Sequence, residues 1–261
     1  DSNNEVVLLT QTFASPSTEK IIKDFKGKYP NVRHVVYDAI SDSKALDAFE
    51  IAYGKRALPT YNFSNADVIV SVGADFLGDW QGGGHDSGYV KGRVPIKNGN
   101  QKAKMSKHFQ LESNMSISGA NADKRIALTP NQQKIALARI YGYISGNKFP
   151  GTLPENIELS IKKIADSLIK AGSKGVIING LDDINAHLLA YEINELLKSL
   201  SFKKDELSLI KQGNDQEVLK LIKDLNSGKV KGIIMSGVNP AYTLPNSEDF
   251  ISGIKKANFS V

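Results

Sequence analysis

The sequence contains no cysteine among its 261 residues. The missing thiols exclude disulfides, cysteine nucleophiles, thiolate zinc sites and cysteine-ligated iron–sulfur clusters on this chain. No apolar run reaches the roughly 18 residues of a membrane-spanning helix, so we expect no transmembrane segment. The first residues also lack the basic start and the apolar core of a signal peptide, so we expect any export signal to have been removed. With 41% hydrophobic and 23% charged residues, the composition suits one large or two modest globular domains.

The motifs of several common enzyme classes are absent too. There is no G-x-x-x-x-G-K-[ST] phosphate loop, no G-x-G-x-x-G after a strand, no G-x-S-x-G elbow and no H-E-x-x-H. The histidines are scattered without metal-ligand spacing and are interpreted as structural or solvated: His34, His85, His108 and His187. The sequence therefore predicts neither a catalytic residue set nor a metal site.

The positive charge of the chain is concentrated in one segment. Residues 81–107 contain one acid, Asp86, and six basic residues, which are Lys91, Arg93, Lys97, Lys102, Lys104 and Lys107. Because the segment is rich in glycine, it is predicted to be a long irregular loop. Three roles compete: a solvated tether, a cradle for pyrophosphate, and a docking surface for an acidic partner subunit or membrane headgroups. Docking is favoured because the lysines are spread along the loop, and nucleic acid is disfavoured because Tyr89 is its single aromatic residue.

Strands and helices alternate along the chain. Apolar strands are predicted at 5–10, 32–37, 67–72, 108–112, 125–128, 175–179, 207–211 and 230–236, with helices between most of them. Uninterrupted apolar strands such as 67–72 indicate a parallel sheet that is buried on both faces. The sequence therefore predicts an α/β fold of two doubly wound lobes with mainly parallel sheets. The proline- and glycine-bearing connection 146–156 predicts domains at 1–150 and 151–261.

Two strands end in similar glycine turns. Gly73-Ala74-Asp75-Phe76 follows the strand at 67–72, and Gly237-Val238-Asn239-Pro240 follows the strand at 230–236. Ligands of α/β proteins bind at the carboxyl ends of strands, and glycine lets a ligand approach the backbone. A tight strand-to-helix turn explains both glycines equally well. Asp75 would repel a pyrophosphate where an asparagine would donate, so capping of the following turn is the favoured interpretation for Asp75.

A third group of polar residues surrounds Glu112 at the end of a predicted strand. Glu112 could accept hydrogen bonds from ribose or guanine, and Ser113, Asn114 and Ser116 add small polar groups beside it. The alternative is a salt bridge from Glu112 or Asp123 to Arg125.

Several runs resemble the molybdopterin oxidoreductase (DMSO reductase) family. They are ADVIVSVGAD, ANADKRIALTP, KGVIING and VKGIIMSGVNPAYTLP, and the resemblance covers nearly the whole chain. The runs ISDSKAL, LPTYNFSNADVIVSVGADFLGDW and SKHFQLESNMSISGANADKR more narrowly resemble the molybdopterin-like part of the large iron–sulfur subunit of alternative complex III, a quinol-oxidising respiratory assembly.

The resemblance implies a set of contacts to a molybdopterin guanine dinucleotide. Carried over by residue, these are Gly73, Asp75, Glu112, Ser113, Asn114, Ser116, Gly180, Gly237, Asn239 and Pro240. The family's G-x-N-P pattern is intact only in the second turn, since the first reads GADF. The stretch VVYDAISDS, where catalytic relatives hold molybdenum, offers Asp38 and Ser41, which serve equally well as helix caps. In the alternative complex III subunit this domain carries no molybdenum cofactor.

The resemblance thus implies a cofactor-free scaffold and partner surface in a respiratory electron-transfer complex, not catalytic by itself and without an iron–sulfur cluster. It places the chain in the periplasm, associated with a membrane through partner subunits that dock on residues 81–107. Two alternatives stay open. One is a cofactor-binding fragment of an active molybdopterin oxidoreductase. The other is the central nucleotide-binding domain of a thiamine-diphosphate enzyme, which the Glu112 region fits less well.

Overall fold

The computed structural model describes residues 4–95 and 104–261. The strands are β1 (Glu5–Thr10), β2 (Val32–Val36), β3 (Leu58–Tyr61), β4 (Val68–Val72), β5 (Lys107–Glu112), β6 (Lys124–Ala127), β7 (Gly175–Asn179), β8 (Phe202–Ser208), β9 (Val230–Ser236) and β10 (Phe259–Ser260). The helices are α1 (Pro16–Lys28), α2 (Ser43–Tyr53), α3 (Asp86–Arg93), α4 (Ile117–Ala120), α5 (Pro130–Ser145), α6 (Glu155–Ala171), α7 (Ile184–Leu197), α8 (Asp215–Asn226), α9 (Pro240–Thr243) and α10 (Ser247–Ile254). None of the helices in the described ranges has both the length and the apolar character needed to cross a bilayer.

The chain forms two compact units. Unit 1 combines the described residues up to Ser43 with Leu209–Val261, and unit 2 is Lys44–Ser208. The predicted boundary near residue 150 therefore does not match this division. The connection at 146–156 joins α5 to α6 inside unit 2, where Leu137 and Ile140 of α5 share one core with Ile161 and Ile164 of α6.

Unit 1 is built on a parallel sheet in the order β10-β9-β1-β2. Its core joins Val7 and Leu9 of β1 to Leu221 and Leu225 of α8 and to Phe250 of α10. β1 lies between β2 and β9, so both of its edges are paired. The carboxyl ends of β1, β2 and β9 consequently meet at one side of the sheet.

Unit 2 is built on a second parallel sheet in the order β6-β5-β4-β7. All five residues of β4 are buried, as its apolar sequence predicts. A separate antiparallel pair joins β3 to β8. The prediction of an α/β fold with mainly parallel sheets is confirmed, whereas strand β3 and its partner were not predicted as a pair.

The predicted irregular loop at 81–107 is partly helical. α3 occupies Asp86–Arg93, and Tyr89 of this helix is buried against Phe76 and His108. Arg93 at its end pairs with Asp123 at 2.6 Å. These tertiary contacts stabilise a helix that the glycine content of the segment disfavours. Lys97 and Lys102 lie outside the described residues.

Candidate functional site

Each parallel sheet brings the carboxyl ends of its strands to one edge. We call the edge after β1, β2 and β9 the unit 1 edge, and the edge after β4, β5 and β7 the unit 2 edge. Seven of the predicted site residues, between Gly73 and Gly180, lie in unit 2, and the other three, between Gly237 and Pro240, lie in unit 1. The predicted residues are thus divided between two sheets.

Glu112, at the unit 2 edge, is surrounded by donors of the protein itself. Its Oε1 accepts from the Arg125 Nε at 2.5 Å and from the Ser116 amide at 3.2 Å. Its Oε2 accepts from the Ser116 hydroxyl at 2.6 Å and from the Gln110 Nε2 at 3.1 Å. Burial alone would raise the pKa of Glu112, but the bonds from Ser116 and Arg125 outweigh burial and hold the pKa below its ordinary value. The expected salt bridge between Glu112 and Arg125 is confirmed.

The neighbours of Glu112 also bond within the protein. The hydroxyl of Ser113 donates to the Leu128 carbonyl at 2.9 Å, and Ser116 caps α4 by accepting from the Gly119 amide at 2.9 Å. Asn114 is exposed. The acceptor capacity of Glu112 is therefore used by protein donors rather than left open.

Asp75 fastens its turn to α4. Its Oδ1 accepts from the Ser118 amide at 2.9 Å and from the Ser118 hydroxyl at 2.7 Å. Gly78 packs closely against the Asp75 side chain, since a Cβ at Gly78 would lie 2.5 Å from the Asp75 Oδ2. The favoured interpretation was that Asp75 caps the turn that follows it. The structure differs in detail, because the carboxylate binds Ser118, 43 residues further along the chain.

Gly73 and Gly180 pack backbone against backbone. A Cβ at Gly180 would lie 2.5 Å from the Gly73 oxygen and 2.7 Å from the Ala74 Cα. The Oε1 of buried Gln133 and the side chain of Leu181 cover Gly73 from other sides. The glycines thus permit a close approach of two protein segments at this point. Their contact with a cofactor stays a prediction.

The three predicted residues of unit 1 form the turn after β9. Gly237 has a φ of 71°, and its Cα faces the side chain of Gln11, which would lie 3.0 Å from an added Cβ. The Asn239 carbonyl accepts from the Thr243 amide and hydroxyl, at 3.0 and 2.9 Å. Pro240 is buried at the first position of α9. This turn places Gln11, at the end of β1, beside Gly237.

A cavity of about 430 Å³ opens at the unit 1 edge, beside the ends of β1 and β2. The polar residues of its lining are Thr10, Gln11, Thr12, Ser15, Glu19, His34 and Gln212. The apolar residues of its lining are Phe13, Ala14, Pro16, Ile22, Val36, Leu209 and Ile210. Leu209 is 58% exposed and Ile210 is 40% exposed. Cavities of this size at the carboxyl ends of parallel strands are typical ligand sites.

Thr10 orients the imidazole ring of His34, a residue of β2 that lines this cavity. The Thr10 hydroxyl lies 2.8 Å from the Gln11 carbonyl and 2.9 Å from the His34 Nε2. Burial lowers the pKa of His34 below its ordinary value, and the positive charge of Lys26 adds to this effect. The imidazole is therefore neutral at pH 7.

Asp38 connects two segments that border the cavity, the one after β1 and the one near residue 213. Its carboxylate accepts from the Thr12 amide at 2.8 Å, from the Thr12 hydroxyl at 2.5 Å and from the Gly213 amide at 3.2 Å. Thr12 in turn accepts from the Gln212 amide at 2.8 Å. The Ser41 hydroxyl caps the Ser43 amide at 3.0 Å. Within the described residues, no group of three or more His, Cys, Asp or Glu side chains could hold a metal ion.

Sequence reasoning missed the cavity because it treated His34 as an isolated histidine. The only local signal was its place in a strand that follows the first β-loop-α unit. The contact with Thr10 depends on the parallel register of β1 and β2, in which Thr10 pairs with Val36 and Leu8 with His34. This register cannot be read from either strand alone.

Comparison with known proteins gives a fold relationship. No family model and no curated protein matches the sequence. The structure is similar to a chain in the crystal structure of the formyltransferase/hydrolase complex FhcABCD from Methylorubrum extorquens with methylofuran. The TM-score is 0.60 at 14% identity, covering 91% of this chain and 71% of the other. At this identity the likeness concerns the fold.

These findings correct the expected family. Membership of the molybdopterin oxidoreductase family is wrong, because the structural neighbour belongs to a formyltransferase/hydrolase complex and no family model supports the expectation. The expected role in a respiratory electron-transfer assembly such as alternative complex III is wrong for the same reason. The quoted runs follow strands and turns of an α/β fold, and one such fold serves proteins of many unrelated functions. The chain is an α/β protein whose fold resembles that of a chain in the FhcABCD complex.

Proposed function

We propose that this chain is a small-molecule-binding subunit of a multi-subunit enzyme that acts on one-carbon groups. The binding site is the cavity at the unit 1 edge, and catalysis belongs to the assembly rather than to this chain alone.

The cavity is the observation that carries the proposal. Its polar wall, with Thr10, Gln11 and His34, lies at the carboxyl end of a parallel sheet, where ligands of α/β folds bind. Its volume of about 430 Å³ falls within the ordinary range for small ligands. The bonds of Asp38 to Thr12 and Gly213 hold the surrounding loops, so the site is preformed.

The likeness to FhcABCD supports the assembly and its chemistry. The similar chain comes from a complex that its title describes as a formyltransferase and hydrolase. The shared fold extends over 91% of this chain, so it includes most of both units. A subunit of such an assembly needs a ligand site and a partner surface, and not a complete catalytic set.

The basic segment 81–107 is the proposed partner surface. Two of its cations are already committed within unit 2, since Arg93 pairs with Asp123 and Lys104 pairs with Asp67. Lys91 is exposed on α3 and keeps its charge available. Several such charges on one acidic partner would steer association and make it sensitive to salt.

The assembly is tested by isolating the protein from its own cells through an affinity tag and by assaying formyl transfer and formate release. We expect defined partner subunits and an activity that the purified chain alone lacks. A chain that elutes alone at low salt, together with formyl-transfer and formate-release activity that is unchanged in cells after its deletion, would refute the proposal. Exchange of Lys91, Lys97 and Lys102 for Ser should weaken the association at low salt. The same exchange of Lys104 is the matched control, because Lys104 is bound to Asp67.

The ligand site is tested separately by screening small molecules against crystals of the whole chain. Bound molecules are expected beside His34 at the unit 1 edge. His34→Leu is the comparison variant, and Glu192→Gln, on the exposed side of α7, is the matched control.

A further inference from the structure

The hydrogen bonds of Thr10 define the tautomer of His34. A hydroxyl carries one proton, and the Gln11 carbonyl can only accept, so Thr10 donates to Gln11. The contact of 2.9 Å between Thr10 and the His34 Nε2 is then a hydrogen bond only if Nε2 carries the proton. This is the only arrangement that satisfies both contacts. It leaves the Nδ1 atom of His34 with a lone pair.

No described residue donates to that Nδ1 atom. The hydrogen bonds of His34 to the described residues consist of the one with Thr10. Nδ1 is also absent from the buried polar atoms that lack a partner in the described part of the chain. Since His34 is half-buried and lines the cavity, its open acceptor belongs to the cavity and not to the protein core.

The charge on the described lining of the cavity disfavours anions. Among the described lining residues, Glu19 is the only Asp, Glu, Lys or Arg. The start of α1 offers an anion little, because Pro16 has no N–H, the Thr18 amide is capped by Ser15 and the Glu19 amide bonds to the Ser15 carbonyl. Because the described lining has no Lys or Arg, a carboxylate or phosphate would meet the negative charge of Glu19 without a cation on the lining to offset it.

The remaining wall is apolar. Phe13, Ile22, Leu209 and Ile210 are among its residues, and the last two are substantially exposed. Burying such side chains stabilises a complex by about 25 cal/mol for each Å² of apolar surface removed from water. A ligand with an apolar body therefore gains most in this cavity.

We propose that the cavity takes a small neutral ligand with an apolar body and an N–H or O–H group that donates to the Nδ1 of His34; this rests on the ligand-binding role proposed above. His34 selects the donor, Thr10 positions the ring, and Glu19 disfavours anions. Thr10 is a positioning residue, because it acts through the ring and not on the ligand.

The matched probes are indole and benzofuran, which share one bicyclic shape and differ by the N–H donor. Both are titrated into the isotope-labelled whole chain, and amide chemical shifts are followed. Both should shift amides at 10–15, 34–36 and 209–212. Indole should bind about 3- to 10-fold more tightly, as expected for one net hydrogen bond. Indole-3-acetate should bind more weakly than indole because of Glu19.

Variants assign this preference to His34. In His34→Leu the two probes should bind equally, with benzofuran binding retained, and in His34→Gln part of the preference should persist because the amide oxygen accepts. Thermal unfolding of each variant shows whether the fold is kept. Equal binding of both probes to the wild type, an undiminished preference in His34→Leu, or tighter binding of indole-3-acetate would overturn the inference and leave the ligand-binding role standing. If neither probe shifts unit 1 amides, both the inference and the binding role fail.

Discussion

Replacing Glu112 by Gln tests whether the unit 2 edge is a structural joint. The carboxylate is 6% exposed and accepts four hydrogen bonds, two on each oxygen, from Arg125, Ser116 and Gln110. An amide keeps one oxygen and turns a donor toward the other pair, so two bonds to a charged acceptor are lost. Each hydrogen bond to a charged group contributes about 1.5–3 kcal/mol to the free energy of unfolding. Because the Ser116 hydroxyl can rotate and accept from the new amide, we expect the substitution to lower that free energy by about 3 kcal/mol.

The assay is thermal unfolding followed by circular dichroism at pH 7. A loss of about 3 kcal/mol lowers the melting temperature of a domain of this size by about 6–12 °C. Glu192→Gln is the control, since Glu192 is exposed on α7 and should change the melting temperature by less than about 2 °C. If Glu112→Gln melts together with this control, the carboxylate is not a structural acceptor and is instead available to a ligand.

The other predictions concern acid sensitivity and backbone packing. The pKa of Glu112 is lower in the folded protein than in the unfolded chain, so the ionised carboxylate stabilises the fold. This stabilisation is present above the unfolded pKa of about 4.5 and fades as the pH falls further. The difference in stability between wild type and Glu112→Gln should therefore shrink below that pH. Burial lowers the pKa of both His108 and His187 to about 4, so histidine NMR signals should report neutral rings at pH 5, and stability should fall as the pH drops from about 6.5 toward 4. A ring of either residue that titrates near 6.5 would contradict this. Gly180→Ala should lower the stability of unit 2 by about 1–3 kcal/mol or more, because its Cβ would lie 2.5 Å from the Gly73 oxygen, and denaturant unfolding with an unchanged midpoint would contradict that packing.

Local signals predicted the elements whose boundaries depend on nearby residues. Ser15 as N-cap and Pro16 at the first helical position are local signals for the start of α1, which ends at Lys28. Thr129 and Pro130 are the corresponding signals for the start of α5, where the structure shows a capping box with Gln132. Caps act through contacts within one turn, so the sequence contains the information that determines them.

Elements that depend on distant partners were not predicted. β3 has only four residues, and its pairing with β8 joins segments that are far apart along the chain. α3 depends on the burial of Tyr89 and on the pair of Arg93 with Asp123. Unit 1 requires the chain to return after residue 208 and to add β9 beside β1. No local pattern specifies such a return.

In the candidate site, too, the features set by nearby residues were predicted and those assembled from distant segments were not. The glycine turns after β4 and β9 were predicted to lie at the ends of parallel strands, and they do. That Glu112 would bind Arg125 was one of two open interpretations, and its geometry required the pairing of β5 with β6. The cavity beside His34 could not be predicted, because it is formed by β1, β2 and a segment near residue 210. Sites assembled from distant segments become visible only in the folded chain.

The most direct test of the central claim is a crystallographic screen of small neutral and anionic molecules against the whole chain. We expect bound molecules to cluster in the cavity at the unit 1 edge, in contact with His34, while the Gly73 and Glu112 region at the unit 2 edge stays filled by protein groups. Molecules bound at the unit 2 edge beside Glu112, with the unit 1 cavity empty in every crystal, would contradict it.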